Sequence, residues 1–352
     1  MRSPTCWPKR WVVEVQYARR VAGGPEGREK RILVRRDRSA QWLDLRTALR
    51  LRSAARGASA ERATVLAAAL APGSTSQALQ GGADFHDAVT AVLADAPEAA
   101  VVTDPELTNA LDPTSYRDFM VFERHFSFGY EWQNKPVPEV MYELPISYAG
   151  DPLSFIGPGE TIPWPSYSER LDYELELGIV IGKAGTNLRP EQALDHVLGL
   201  TIFNDVSARD IQGREMTGGL GPSKGKHFAC VTGPLITSLD ELPESGLAMT
   251  ARVNGEEWCA TTTAEMVWSV AEIVAWASQG EVLRPGALLG SGTCNGGSTI
   301  EIGRRLEPGD EVELEIEHLG VMRNRLGTPS GETWWPAARD RSGGSAGTHF
   351  LT

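Results

Sequence analysis

The chain has 352 residues, 41% of them hydrophobic and 23% charged, with a formal net charge of −12. This is enough apolar material to bury a sizeable core, in one large domain plus an appendage or in two ordinary domains. The acidic balance excludes a nucleic-acid surface, which needs clustered Lys and Arg, and no apolar run approaches the ~18 residues of a membrane helix.

The opening "MRSPTCWPKRWVVEVQ" is basic but lacks a continuous apolar stretch, so no secretory leader is expected. Residues 10–45 read as short strands, and the Gly/Pro turn in "VAGGPEG" joins two alternating runs into a hairpin. The basic clusters "PKRW" and "GREKRILVRR" are interrupted by acids and a loop and read as a solvated face. "ERATVLAAALA" and "DFHDAVTAVLAD" predict helices, with His86 on the second read as a surface residue. Together these suggest a small β-rich N-terminal domain with helices over 1–105.

From 106 to 327 the texture changes to short strands punctuated by Gly and Pro. In "DYELELGIVIG" (172–182), strand alternation points Glu174 and Glu176 the same way, with Cα atoms ~6.5–7 Å apart. Two like charges in an apolar strand are costly unless something neutralises them. "HVLGLTIFNDVSARDIQ" (196–212) predicts a second buried strand that runs out at Asn204 and Asp205. Three carboxylates from two strands suit a hard cation with open positions, Mg²⁺ or Mn²⁺, and Ca²⁺ takes the same donors. Zinc is disfavoured because no His or Cys stands at ligand spacing.

Further on, "LAMTARVNGEEWCATTT" (247–263) predicts a hairpin in which Asn254-Gly255 makes a type I′ turn. "TTAEMVWSVAEIVAWASQG" predicts a helix capped by Thr262 and Glu265. Met266, Val267, Val270, Ile273, Val274 and Ala277 would share one face and Gly280 would stop it. "LEPGDEVELEIEHLGVMRNRLG" (306–327) reads as a turn with one or two strands, and 328–352 as a flexible tail in which Trp334 and Trp335 are candidates for docking. Cys6, Cys230, Cys259 and Cys294 show no CxxC spacing and read as reduced thiols of a cytoplasmic protein. There is no GxGxxG after a first strand, no P-loop and no regular β-α alternation, which argues against a doubly wound nucleotide-binding fold.

"DYELELGIVIG", "HVLGLTIFNDVSARDIQ", "GPSKGKHFA" and "GSGT", with "SYRDFMVFERH" upstream, occur in the order and spacing of the fumarylacetoacetate hydrolase superfamily. The chain resembles that family over 106–327. The resemblance implies an α+β, mostly β fold: a mixed β-roll catalytic domain behind the small N-terminal domain, usually a homodimer. It implies Glu174, Glu176, Asp205 and Asp118 as metal ligands and His125 as the general base that activates water. Lys226 would neutralise substrate or developing enolate, Arg209 and Gln212 would line the site, and Thr293 would contact substrate oxygens. Lys224 is a rival to Lys226; His196, His227 and His318 read as structural; Glu123 and Glu301 are both candidates to orient His125.

The activity implied is divalent-metal-dependent hydrolysis of a C–C bond in a 1,3-dicarbonyl, an acylpyruvate or β-diketone-type compound, with an enolate leaving group. The alternative keeps the metal site for hydration, dehydration, decarboxylation or isomerisation of a 2-oxo acid. A third reading is a non-catalytic binding protein on an inherited scaffold. Met120 and Met216 stand where fumarylacetoacetate-cleaving members carry Tyr, and Asn134 about where they carry an Arg. Those changes imply a more apolar pocket and a hydrophobic or larger substrate.

Overall fold

The computed structural model describes residues 14–24, 27–132 and 134–337. Cys6 and the last fifteen or so residues of the tail lie outside the described residues. The expected hairpin is present: β1 (Gln16–Gly24) and β2 (Gly27–Arg35) pair antiparallel from Gln16↔Arg35 to Gly24↔Gly27. β3 (Trp42–Asp44) and β4 (Val101–Val102) extend this edge. Between them come α1 (Leu45–Ala55), α2 (Ala60–Leu70), α3 (Thr75–Leu79) and α4 (Ala83–Ala94). Asp44, Ser59 and Ser74 cap the first three by accepting a first-turn N–H. His86 is not at the surface as expected but buried, edge-on to Phe85 at 5.6 Å. Its flanking acids mask the three-residue spacing of His86, Val89 and Val92 that turns it inward.

The chain then forms β5 (Leu107–Thr108), β6 (Ser115–Phe119), α5 (Glu123–Trp132), α6 (Val140–Glu143), β7 (Ser147–Ala149) and β8 (Phe155–Ile156). β9 (Leu171–Asp172), β10 (Leu175–Ile181), α7 (Pro190–Ala193), β11 (Val197–Asn204), β12 (Ser207–Ala208) and α8 (Arg209–Met216) follow. After β13 (Cys230–Thr232) and β14 (Leu235–Thr237) comes the second hairpin, β15 (Ala248–Val253) and β16 (Glu256–Thr262). Its turn has Asn254 at φ 51° and Gly255 at φ 82°, the positive pair a type I′ turn demands. The remainder is α9 (Val270–Ala277), β17 (Ala287–Gly290), α10 (Thr299–Ile302), β18 (Glu311–Ile316) and β19 (Gly320–Arg325).

The helix expected after Thr262 starts later. Thr262 caps only a single 3₁₀ turn, and α9 is opened by Ser269 and Glu272, which form the full capping box. Met266 and Val267 stay outside because their backbone bridges to Phe122 and Val121. Those backbone bonds compete with the helix and win.

The main sheet runs β4-β3-β2-β1-β14-β11-β10-β17-β6-β7, with β5, β8 and β13 branching from it. The first hairpin therefore continues the sheet that holds the later strands, β1 pairing on β14 at Tyr17↔Ile236. One face packs Tyr17, Ile32, Leu45 and Phe85 against Val180, Phe203 and Leu288. The other packs Leu177, Ile179, Leu200 and Ile202 against the four-stranded sheet β16-β15-β18-β19 and α9, through Met249, Leu314, Met322 and Ile273. β10 is buried on both faces along its whole length, which is why its sequence is an apolar run broken only by Glu176 and Gly178.

Candidate metal centre and the cleft above it

Strand register brings the acids together. β10 lies antiparallel to β11, with Glu176 opposite Phe203, and Asp205 follows the end of β11. On the other side β17 pairs with β10 at Gly178↔Gly290, and β6 runs parallel to β17 with Asp118 beside Gly290. Glu174 sits one residue before β10, its N–H donating to the Asn204 side chain at 3.0 Å. One oxygen from each of Asp118, Glu174, Glu176 and Asp205 lies within 4.8 Å of the others, and all four residues are buried.

Asp118 and Glu176 meet across β17 because its last residue has no side chain. A Cβ on Gly290 would stand 2.3 Å from Asp118 Oδ1 and 2.8 Å from Glu176 Oε2. The next amide but one, Gly292 N, donates to both carboxylates at 3.2 and 3.1 Å, from a backbone at φ +83° that favours glycine. Gly290→Ala is therefore expected to push the two acids apart, costing about 1–3 kcal/mol as overpacking and abolishing divalent-cation binding. Thermal melts with and without Mn²⁺ measure both effects.

Burial, reinforced by the charges of Asp205 and Asp118 respectively, drives the Asp118 and Glu176 carboxyls well above the usual range. Burial would do the same to Glu174, but Arg209 and Lys226 hold it well below. Lys226 Nζ lies 2.5 Å from both Glu174 Oε2 and Asp205 Oδ2. Despite burial, those two acids keep its ammonium charged. Arg209 shares its guanidinium between Glu174, at 2.7 Å, and the fully buried Asp172, at 2.8 Å. Four carboxylates thus face one ammonium and one guanidinium already divided with Asp172, so negative charge is left over. Glu176 Oε1 is also a buried oxygen without a hydrogen-bond partner. An all-oxygen donor set with surplus negative charge and an unused acceptor fits a divalent cation.

His125 stands in the first turn of α5, beside this cluster. Its Nε2 lies 3.7 Å from Glu174 Oε1, and its Nδ1 is 2.8 Å from Glu301 Oε2. Of the two candidate partners the geometry selects Glu301; Glu123 accepts instead from the Tyr142 hydroxyl. Glu301, on α10, is itself held by Gly296 N and Ser298 Oγ. Burial would raise its carboxyl, but the bond to His125 and these donors bring it below the usual range.

The cleft over the cluster has a volume of ≈ 220 Å³. Asp118, Glu174, His125, Lys226, Gln212 and Thr293 line its polar part. Phe119, Met120, Ile146 and Met216 make its apolar wall. Lys226, not Lys224, reaches the cleft: the Glu215 carboxylate accepts three successive N–H groups, from Ser223, Lys224 and Gly225, and shapes that loop. Arg209 grips Glu174 and Gln212 and is not among the lining residues. Asn134, His196, His227 and His318 also lie off the lining. Trp335 stacks over Arg214 of α8 at 5.5 Å, so the described part of the tail touches the helix that carries Gln212 and Met216.

Three contributors escape a reading of the sequence. Tyr148 donates to Asp205 Oδ2 at 2.5 Å and pairs with the Tyr116 hydroxyl at 2.9 Å. Asp172 links Arg209 to the N–H of Thr299 at the head of α10, 2.8 Å away. Gly290 provides the space described above. Of these only Asp172, inside the acidic motif, carried a local signal.

A model of the C-terminal domain of fumarylacetoacetate (FAA) hydrolase matches residues 116–327. The chain is 37% identical over 202 residues to the mitochondrial oxaloacetate tautomerase FAHD2A of Bos taurus, covering 55% of this chain and 61% of that protein. It therefore spans about three-fifths of the length of that curated relative. Among solved structures, the fumarylacetoacetate hydrolase of the psychrophile Exiguobacterium antarcticum superposes with a TM-score of 0.68 at 23% identity, over 89% of this chain and 99% of that one. The 2-hydroxyhepta-2,4-diene-1,7-dioate isomerase of Mycobacterium marinum superposes with a TM-score of 0.51 at 28% identity, over 66% of this chain and 79% of that one.

Proposed function

The chain belongs to the fumarylacetoacetate hydrolase family, and from that premise we propose that it moves a proton at the carbon beside the oxo group of a 2-oxo acid held on Mg²⁺ or Mn²⁺. The observation that carries this reading is His125, backed by Glu301 at 2.8 Å and facing the acid cluster at 3.7 Å. A bound divalent cation supplies Lewis-acid polarisation of the carbonyl; Asp118, Glu174, Glu176 and Asp205 would hold it. His125 Nε2 takes the proton from carbon, and Glu301 fixes the ring tautomer and steadies the imidazolium that forms. Lys226 places a buried positive charge where negative charge collects on oxygen. The proton returns from His125 to that oxygen, giving the enol, and Gln212 and Thr293 orient the acid group. The apolar wall of Phe119, Met120, Ile146 and Met216 suits a hydrocarbon substituent on the substrate.

The hydrolytic C–C cleavage expected from the motifs is the second reading. It is favoured by the same dyad, which can take its proton from water instead of carbon. The tautomerase name of the 37%-identical relative supports the first order of preference. A homodimer belongs to this reading through family membership and is measured by sedimentation. Loading the protein with Mn²⁺ and following oxaloacetate and alkyl acylpyruvates by NMR in D₂O separates the two. Enzyme-dependent loss of the C–H signal without fragments supports proton transfer; fragments carrying ¹⁸O from labelled water support hydrolysis. Neither result with any such acid would overturn both.

A further inference from the structure

Asp172 is fully buried at the end of β9, two residues before Glu174. Pairing of β9 with β12, at Ser207↔Asp172 and Ala208↔Leu171, sets it beside Arg209, the first residue of α8. Neither Asp172 nor Arg209 is among the residues that line the cleft. Both Asp172 oxygens are engaged: Oδ1 accepts from Thr299 N and Oδ2 from Arg209 Nε, each at 2.8 Å. Ser298, the N-cap of α10, gives its hydroxyl to Glu301 and makes no cap bond, so a free N–H at the head of α10 falls to Asp172 and fixes its carboxylate. Arg209 Nη1 donates to Gln212 Oε1 at 3.0 Å. Its Nη2 lies 2.7 Å from Glu174 Oε1 yet makes no aligned hydrogen bond. Two nitrogens of the guanidinium are thus bonded away from Glu174, and the third attracts it by charge alone.

We propose that Asp172 is a positioning residue for the cation centre: it holds the Arg209 guanidinium short of a full pair with Glu174 and so sets how tightly a divalent cation binds. An arginine free to turn forms a bidentate pair with a carboxylate. Glu174 engaged in that way would have no oxygen to offer an ion. Asp172 prevents this by taking Nε, and its negative charge cancels that of the guanidinium. Without it, an uncompensated positive charge would stand in a buried site beside the four acids, where water cannot screen its repulsion of a second cation. The role rests on the reading that these acids hold a cation, and not on which reaction the cation serves.

The full-length protein, freed of metal with a chelator, is titrated calorimetrically with Mn²⁺ as wild type, as Asp172→Asn and as the double variant Asp172→Asn/Arg209→Met. The single variant is expected to bind Mn²⁺ about 10- to 100-fold more weakly, the scale on which loss of an outer partner acts. The double variant should return to within about threefold of the wild type or bind more tightly, because the pair is removed together and no unpaired buried charge remains. Unchanged affinity in the single variant overturns the role. So does an equal loss in single and double variants, which is what a merely structural Asp172 would produce. Should Asp172→Asn not fold, the double variant decides. Folding with wild-type affinity supports the role; failure to fold, or binding about tenfold weaker or worse, overturns it. A wild type that binds no Mn²⁺ overturns the cation centre and this role together. A wild type that binds Mn²⁺ and loses it in Asp172→Asn, yet turns over none of the acids, leaves the role standing while the assigned reaction fails.

Discussion

His125→Ala is expected to lower turnover by roughly 10²- to 10⁴-fold, the usual contribution of a positioned general base, while leaving divalent-cation affinity unchanged. None of the four acids that would bind the cation is altered, and Glu174 keeps both Lys226 and Arg209 as partners. The fold should survive because the His125 ring borders the cleft rather than the packed core and Glu301 retains Gly296 N and Ser298 Oγ. Glu301→Gln should show the same split to a smaller degree, since the imidazole loses its orienting charge but not its place on α5. Calorimetric Mn²⁺ titration beside steady-state kinetics checks both variants. A parallel fall in affinity and turnover would mean that His125 belongs to the cation site and not to proton transfer.

Glu176→Gln should have the opposite signature: loss of cation binding with a gain in the stability of the cation-free protein. Removing a ligand should cost at least the 10–100-fold that loss of an outer-shell partner costs. The gain follows from linkage. Asp118 and Glu176 have folded values raised well above 3.8 and 4.5, first by burial and then by neighbouring acids. Raised carboxyls favour the folded state most at low pH, and that advantage is lost as pH rises through the folded values. Cation-free wild type should therefore lose stability on going from about pH 4 toward neutral and beyond. Cation affinity should rise over the same interval, because protons leave the acids as the ion enters. The glutamine keeps the shape, can donate to Asp118 and accept from Gly292, and carries no charge. Its melting temperature without cation should exceed the wild type's at pH 8 and converge with it in acid, where the wild-type acids are protonated. Melting curves across pH, with chelator and with Mn²⁺, test the crossing directly.

Much of the site was legible because strand alternation is a local rule. Glu174 and Glu176 on one side of a buried run, and Asp205 where the next run ends, follow from a two-residue period and from the cost of burying charge. The match to a family pattern added Asp118, His125 and Lys226, whose neighbours in sequence say nothing of carboxylates. His86 was misplaced because charged neighbours disguise its inward spacing. The helix start was misplaced because Thr262 and Ser269 each precede a glutamate by three residues, and only the bridge to Phe122 chooses between them.

What the amino-acid order determined by itself was periodicity: which residues share a face, which turns need positive φ, and that an apolar strand carries two acids needing a counter-ion. Tertiary structure alone decided which distant segments meet. Glu301 is chosen over Glu123 because the tertiary fold sets α10 within 2.8 Å of His125, and Asp118 reaches Glu176 because β17 lies between them and ends in glycine. Tyr148 and Asp172 join because β7 passes beside the cluster and β9 ends there. Contacts of this kind depend on how strands are ordered in a sheet, and side-chain spacing along one segment holds no record of that order.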